Sequence, residues 1–290
     1  MNLRRLTLAR AWRFFNTGGG GSIDCNPTQS NMRVLVLSSG GKDSSYATWW
    51  SILRGWDVSG IVTIRVTGDD SMMFQLPTTA LAGLQAASAG IPWLPVSLDG
   101  NPETEMDVLE NKLKNIICGS TKIRSNVWSV DELNAANWPD GWVWPTDLQR
   151  LRADQPIDGI VVGALRSDYQ KTRIEQMCNR LGIKSFTPLW HHNGSSHMHE
   201  LVNHGHRIMI TSVTTDGLGE EWLGRKLNTE DIIELQGLAD VYRFNVDGEG
   251  GEFETAVLDA PWMNSTINTR HTNHWTGQRG WVDIWSAELV

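Results

Sequence analysis

Cysteine is scarce and scattered in this chain. Cys25, Cys118 and Cys178 form no CxxC pair, so neither a disulfide framework nor a zinc site is expected, and a reducing, cytoplasmic compartment fits. No apolar run reaches the roughly 18 residues of a membrane span. Positive charge is in deficit, with 25 Lys and Arg against 33 Asp and Glu and a formal charge of -8. That balance argues against direct nucleic-acid binding, because a phosphate backbone favours a basic surface. The GxxxxGK[ST] spacing of a Walker A loop is missing, and no glutaminase nucleophile with a supporting histidine stands out. What remains is a chain of 290 residues, 40% hydrophobic and 20% charged, enough for one large or two medium domains.

The rest is organised around residues 32–48, MRVLVLSSGGKDSSYAT. Val34 to Leu37 form an unbroken β-prone run, as in a parallel strand buried on both faces. Gly40 and Gly41 let the backbone turn tightly, and Asp43, Ser44 and Ser45 are helix-start residues. A strand, glycine loop and helix start in succession aim N–H groups and the positive end of a helix dipole at an anion, and Lys42 adds a full charge. The candidate phosphate cradle is therefore Ser38, Ser39, Gly40, Gly41, Lys42, Asp43 and Ser44. The run SGGKDS after a strand resembles the PP-loop of ATP pyrophosphatases, which cleave ATP between its α and β phosphates.

An alternating β–α pattern follows. Val58 to Val66 reads as a strand, Met72 to Ala89 as a helix, Trp93 to Leu98 as a strand and Glu103 to Ile117 as a helix. Asp158 to Leu165 is a further strand running into Gly163 and Ala164. Ser167 and Asp168 there cap a helix that ends near Leu181 and Gly182. Ligands of open parallel sheets sit beyond the carboxyl ends of strands, so this turn is a second phosphate or ribose candidate.

Three stretches interrupt the pattern. Residues 1–31 carry Arg4, Arg5, Arg10 and Arg13 and then Gly18 to Gly21, and are expected to be a disordered extension before a fold that starts at Met32. Residues from about 120 to 155 hold Trp128, Trp138, Trp142 and Trp144 and look inserted. Their rings are expected to pack the insertion onto the domain, with partner docking as the alternative. The histidines His191, His192, His197, His199, His204 and His206 match no familiar zinc spacing and read as a solvated loop and helix face. Beyond them, Arg207 to Val213 reads as a strand and Thr229 to Tyr242 as a helix capped by Thr229.

Residues 247–259, DGEGGEFETAVLD, are the most informative outside the loop. Alternation along a strand puts Glu252 and Glu254 on one face and Phe253 and Thr255 on the other. Paired carboxylates there suit a metal, a cationic substrate or base catalysis, or else a solvated acidic edge.

Four blocks, SSGGKDS, GALRSDYQKTR from Gly163 to Arg173, DGLGEEWLGR from Asp216 to Arg225, and GEGGEFET ending in Val257-Leu258-Asp259, together resemble the diphthine–ammonia ligase family within the PP-loop superfamily. The resemblance runs from Met32 to about Met263. The chain departs from the pattern at Met72 and Gln75, where family members often carry Tyr and His, and in the tryptophan-rich insertion. Both terminal segments lack a counterpart.

The resemblance implies an α/β fold with a HUP-type, Rossmann-like parallel-sheet domain at 32–192 and a second, smaller α/β domain at 193–290. It implies ATP with Mg²⁺, ammonium, and translation elongation factor 2 carrying diphthine as partners. The reaction implied is amidation through an acyl-adenylate, releasing AMP and pyrophosphate. Lys42, Glu252 and Glu254 are the implied catalytic residues, and the loop with Gly163, Ala164, Ser167, Asp168 and Arg173 the nucleotide site. Trp222, Arg225, Glu249, Gly251, Phe253 and Thr255 are on the substrate side. The trimethylammonium group of diphthine would meet an aromatic face, with Phe74, Trp190, Trp222 and Phe253 as candidates. The alternatives are another PP-loop adenylating enzyme, acting on tRNA or a small molecule, and a noncatalytic ATP-binding module.

Overall fold

The computed structural model describes residues 32–66, 76–98, 105–118, 126–135, 139, 141–152, 155–164 and 168–290. The expected extension 1–31, the positions Met72, Phe74 and Gln75, and Trp138 and Ser167 lie outside the described residues.

The run Val34 to Leu37 belongs to β1 (Arg33–Leu37), the middle strand of a five-stranded sheet. The others are β2 (Asp57–Val66), β3 (Trp93–Leu98), β4 (Gly159–Val162) and β5 (Lys184–Phe186), in the order β3-β2-β1-β4-β5. All four pairings are parallel. Helices α1 (Lys42–Leu53), α2 (Leu76–Ala89), α3 (Glu105–Ile117) and α5 (Asp168–Leu181) alternate with them, and a short α4 (Val130–Ala135) follows α3. Successive β1 side chains face opposite cores: Leu35 and Leu37 join Leu109, Leu113 and Met177 from α3 and α5, whereas Val34 and Val36 join Ala47 of α1. Each such side chain contributes about 1.5–3 kcal/mol on leaving water, so the apolar run is continuous because neither face is wet. The chain leaves β1 toward β2 and β3, then crosses back to β4 on the other side. That reversal opens a crevice at the carboxyl ends of β1 and β4, where the glycine loop lies.

A second sheet has the order β7-β6-β9-β8, from β6 (Arg207–Val213), β7 (Phe253–Asp259), β8 (Ile267–Trp275) and β9 (Gly280–Leu289), and its pairings are antiparallel. Helices α6 (Gly194–Asn203) and α7 (Thr229–Tyr242) accompany it. The cap of α7 falls one residue before the expected Thr229. Asn228 accepts from the Asp231 N–H at 3.0 Å, and Asp231 accepts from the Asn228 N–H at 2.8 Å.

Two expectations need correction. The segment after Met263, given no counterpart in the resemblance, is an integral part of the second sheet, because β8 and β9 form a hairpin and β9 pairs with β6. The histidine stretch is also not uniformly solvated: His197 and His206, at 0% and 3% exposure, are buried beside α1. By contrast, the tryptophans do pack the insertion onto the domain. Trp144 stacks on Trp93 at 5.6 Å, Trp128 Nε1 donates to the Trp93 carbonyl at 3.1 Å, and Trp142 Nε1 donates to the Ile284 carbonyl of β9 at 3.1 Å.

Candidate active site

Between β1 and α1 the chain turns through Ser38 to Lys42. Gly40 sits at φ +82, and a Cβ there would lie 3.0 Å from the Thr78 carbonyl oxygen, so both backbone sign and space call for glycine. The Ser38 hydroxyl accepts from the Gly40 N–H at 3.1 Å and donates to the Ser44 hydroxyl at 3.0 Å, bracing the turn from inside. Among the described residues no acceptor meets the N–H groups of Ser39, Gly41, Asp43 or Ser44. These are the orphan donors of a helix start, disposed to receive an anion. The turn after β4 closes the other side. A Cβ on Gly163 would fall 2.5 Å from the Asp43 carbonyl carbon, so only glycine permits that approach. Ala164 is buried beside it and Asp168 opens α5, exposed.

Strand β7 docks directly on this loop. Val257 N–H donates to the Gly40 carbonyl at 3.0 Å, and the Lys42 N–H reaches the Thr255 hydroxyl at 3.3 Å. Gln85 of α2, fully buried, donates from Nε2 to both the Gly40 and Val257 carbonyls, at 2.9 and 2.6 Å. Trp262 Nε1 adds a bond to the Ser45 hydroxyl at 3.0 Å. The GEGGEFET block and the SGGKDS block, far apart in sequence, therefore form one wall.

The charges on that wall are ordered. Lys42 is 5% exposed and its Nζ lies 2.8 Å from Asp43 Oδ2. Burial lowers the Lys42 pKa, but Asp43 first and then Glu249 and Asp247 outweigh it, so it sits above the ordinary lysine value. Burial raises Asp43, yet Lys42 and the His197 N–H outweigh that and hold its carboxyl below the usual range. His197 Nε2 is 2.8 Å from Asp43 Oδ1. Asp247 is fully buried against the start of α6, where a Cβ on Gly194 would fall 2.1 Å from its Oδ2. A helix start suits a buried carboxylate.

The structure separates Glu252 from Glu254. Glu252 precedes β7, and its carboxylate folds back onto its own loop, accepting from the Asn245 N–H at 2.8 Å, Asn245 Nδ2 at 2.7 Å and the Gly250 N–H at 2.7 Å. Glu254 keeps solvent contact and lies in the field of Lys42 and Asp43. Crowding by protein raises its pKa against the pull of Lys42, and its contact with water limits that rise.

Several expected substrate residues face elsewhere. Trp222 is 1% exposed, with the Arg225 guanidinium 4.2 Å above its ring. Arg225 Nε donates to Asp231 Oδ1 at 2.9 Å, binding it to α7. Burial lowers Arg225, while Glu234 and Asp231 more than offset it and hold it charged. Phe253 is buried in the core and Trp190 carries Lys171 Nζ 4.9 Å over its ring, while Arg173, expected in the nucleotide site, pairs with Tyr169 on α5. Gly251, at φ +83, and Glu249 remain in the loop that Glu252 braces. His197 and Gln85 were not singled out from sequence. His197 was one of six similar histidines, and Gln85 one polar residue in an apolar helix.

Models of the diphthamide synthase N-terminal domain and C-terminal domain match residues 32–127 with 145–185, and residues 193–290. Residues 128–144, left between the N-terminal segments, fall within the tryptophan-rich insertion, whereas the C-terminal match includes the β8–β9 hairpin. Proteins named diphthine–ammonia ligase from Bos taurus and Homo sapiens are 28% and 29% identical, over 81% of this chain and 82% of each of theirs. One of the same name from Saccharomyces cerevisiae is 28% identical over 80% of this chain and 33% of its own. A crystal structure titled as a subunit of tRNA methyltransferase from Methanocaldococcus jannaschii aligns with TM-score 0.33 and 15% identity over 79% of this chain and 99% of that one. With both domain models matched in order along its length, the chain belongs to the diphthamide synthase family.

Proposed function

We propose that the chain is a diphthine–ammonia ligase, which uses ATP to convert the diphthine carboxylate of translation elongation factor 2 into an amide with ammonium. The observation that carries this reading is the docking of β7 on the nucleotide loop, which brings Glu254 into the field of Lys42 and Asp43. An anion-binding turn and a carboxylate base then face one crevice.

On this reading residues 32–192 bind ATP and residues 193–290 supply the acidic strand. The N–H groups of Ser39, Gly41, Asp43 and Ser44 hold the phosphates, and the Gly163–Ala164 turn lies on the adenosine side. Attack of the diphthine carboxylate on the α-phosphorus forms an acyl-adenylate and releases pyrophosphate, whose developing charge Lys42 stabilises. Ammonium yields a proton to Glu254, the ammonia so formed adds to the acyl carbon, and AMP departs as the added nitrogen releases a second proton to solvent. Glu252 keeps the loop beside it in shape. Among the described residues no group of three or more His, Cys, Asp or Glu side chains is arranged to hold a metal. Mg²⁺ would be held chiefly by the nucleotide phosphates and water, with about one or two protein carboxylates at most.

The test is the mass of purified elongation factor 2 carrying diphthine after incubation with the protein and ATP, with and without ammonium. Amidation requiring both, with AMP formed in equal amount, supports the reading. ATP binding with neither product would make the chain a noncatalytic nucleotide-binding module.

A further inference from the structure

We propose that His197 is a positioning residue for the nucleotide loop, holding the Asp43 carboxylate so that Lys42 can leave it for a phosphate. The inference rests on the reading that Lys42 meets the pyrophosphate end of ATP.

Three observations carry it. First, Asp43 is held on two sides by different partners, with Oδ2 2.8 Å from Lys42 Nζ and Oδ1 2.8 Å from His197 Nε2. Second, His197 is completely buried, and its ring meets the Tyr46 ring edge-on at 5.1 Å. Because the Asp43 oxygen accepts, Nε2 carries the ring proton. Third, Nδ1 is buried and has no hydrogen-bond partner among the described residues. The ring's polar capacity is thus spent on one bond, to the loop aspartate. That bond crosses from α6 to the start of α1.

Stranding the half-buried Asp43 carboxylate without a partner has a cost. Lys42 begins in an ion pair with Asp43, and a phosphate must draw it away. If Lys42 were the sole partner, its departure would leave a largely enclosed carboxylate with only its exposed edge, 22% of the side chain, to be met by water. With the His197 N–H on the other oxygen, Asp43 stays satisfied while Lys42 moves. His197 therefore lowers the barrier to transferring Lys42 from its resting partner to the ligand, without touching the ligand.

The experiment compares His197→Gln, whose amide nitrogen falls where Nε2 lies, with His197→Met, which has similar bulk and no donor. Equilibrium binding of ATP and of pyrophosphate is measured for each, alone and combined with Asp43→Asn, alongside thermal unfolding. Losing a donor to a charged acceptor is expected to weaken both ligands roughly 10- to 100-fold in His197→Met. His197→Gln is expected to recover most of that loss. His197→Met added to Asp43→Asn should cost little more, since no charged carboxylate remains to be held. Equal binding by the Met and Gln variants overturns the proposal, as do fully additive losses, which would mark a packing role only. If the wild-type protein binds neither ATP nor pyrophosphate, the nucleotide reading itself fails instead. Should His197→Met not fold, nitrogen-15 spectra of the wild-type ring decide. An Nε2–H signal that moves in Asp43→Asn supports the proposal, and one that does not move overturns it.

Discussion

The N–H of Val257 donates to the carbonyl of Gly40 at 3.0 Å, so one backbone hydrogen bond ties the glycine loop to the strand bearing the acidic motif. Gln85 reinforces that joint from α2 by donating to both of their carbonyls. The loop is thereby fixed at its apex, and the partner change proposed for Lys42 falls to side chains alone.

Gln85→Leu should loosen this joint while keeping most of the buried volume. The two carbonyls lose a shared donor, and buried groups deprived of a partner cost about 1–3 kcal/mol. Urea unfolding is expected to report a loss in that range. Unchanged stability would show that the Val257 bond suffices alone.

His206 predicts a pH dependence. Burial, partly offset by the Leu201 backbone and reinforced by His197 and His204, pushes the His206 pKa down to about 3. Neither ring nitrogen has a hydrogen-bond partner among the described residues. Unfolded histidine titrates near pH 6.5, so between about 6.5 and 3 the unfolded chain binds a proton that the native chain refuses. Stability therefore falls as pH drops through that window, by roughly 5 kcal/mol in all, and levels off below it. His206→Phe should flatten this limb. Unfolding free energies at pH 5 and 7.5 that change equally in both proteins would refute the assignment.

Lys42→Ala is expected to slow AMP formation severely. A charge-assisted phosphate contact contributes on the order of 1.5–3 kcal/mol, and more where the transition state concentrates charge. In the same variant Asp43 loses its strongest neighbour, and its carboxyl should titrate higher than in the wild type. Pyrophosphate release at the wild-type rate would remove Lys42 from the mechanism.

What the sequence made legible was local. Strand, glycine turn and helix start lie within 32–48, so propensity, turn chemistry and capping agree there without tertiary help. The Asp43–His197 contact spans 154 positions, and nothing in a row of six histidines distinguishes the one that meets the loop. The β8–β9 hairpin escaped notice because β8, INTRHTNHW, is mostly polar and buries few of its side chains. Strand alternation places Glu252 and Glu254 on one face only where the strand already includes Glu252. β7 begins at Phe253, so Glu252 belongs to the preceding turn and follows turn geometry.

That difference gives the two carboxylates separate predictions. Glu254→Gln keeps shape and removes the charge able to take a proton from ammonium, a function worth on the order of 10²- to 10⁴-fold in rate where general base catalysis operates. Its ATP affinity should change little, because the orphan N–H groups belong to the loop and not to β7. Glu252→Gln should behave otherwise. One oxygen can still accept from Asn245, but the new NH₂ faces the Gly250 N–H that Glu252 Oε2 accepts at 2.7 Å, setting donor against donor. Lower thermal stability is expected there, and amidation should be recovered in part at low temperature. Measuring ATP binding, ammonium-dependent amidation and unfolding for both variants separates the roles. A Glu254→Gln protein that amidates normally would leave the base unassigned, and one that loses ATP binding first would move Glu254 into the nucleotide site.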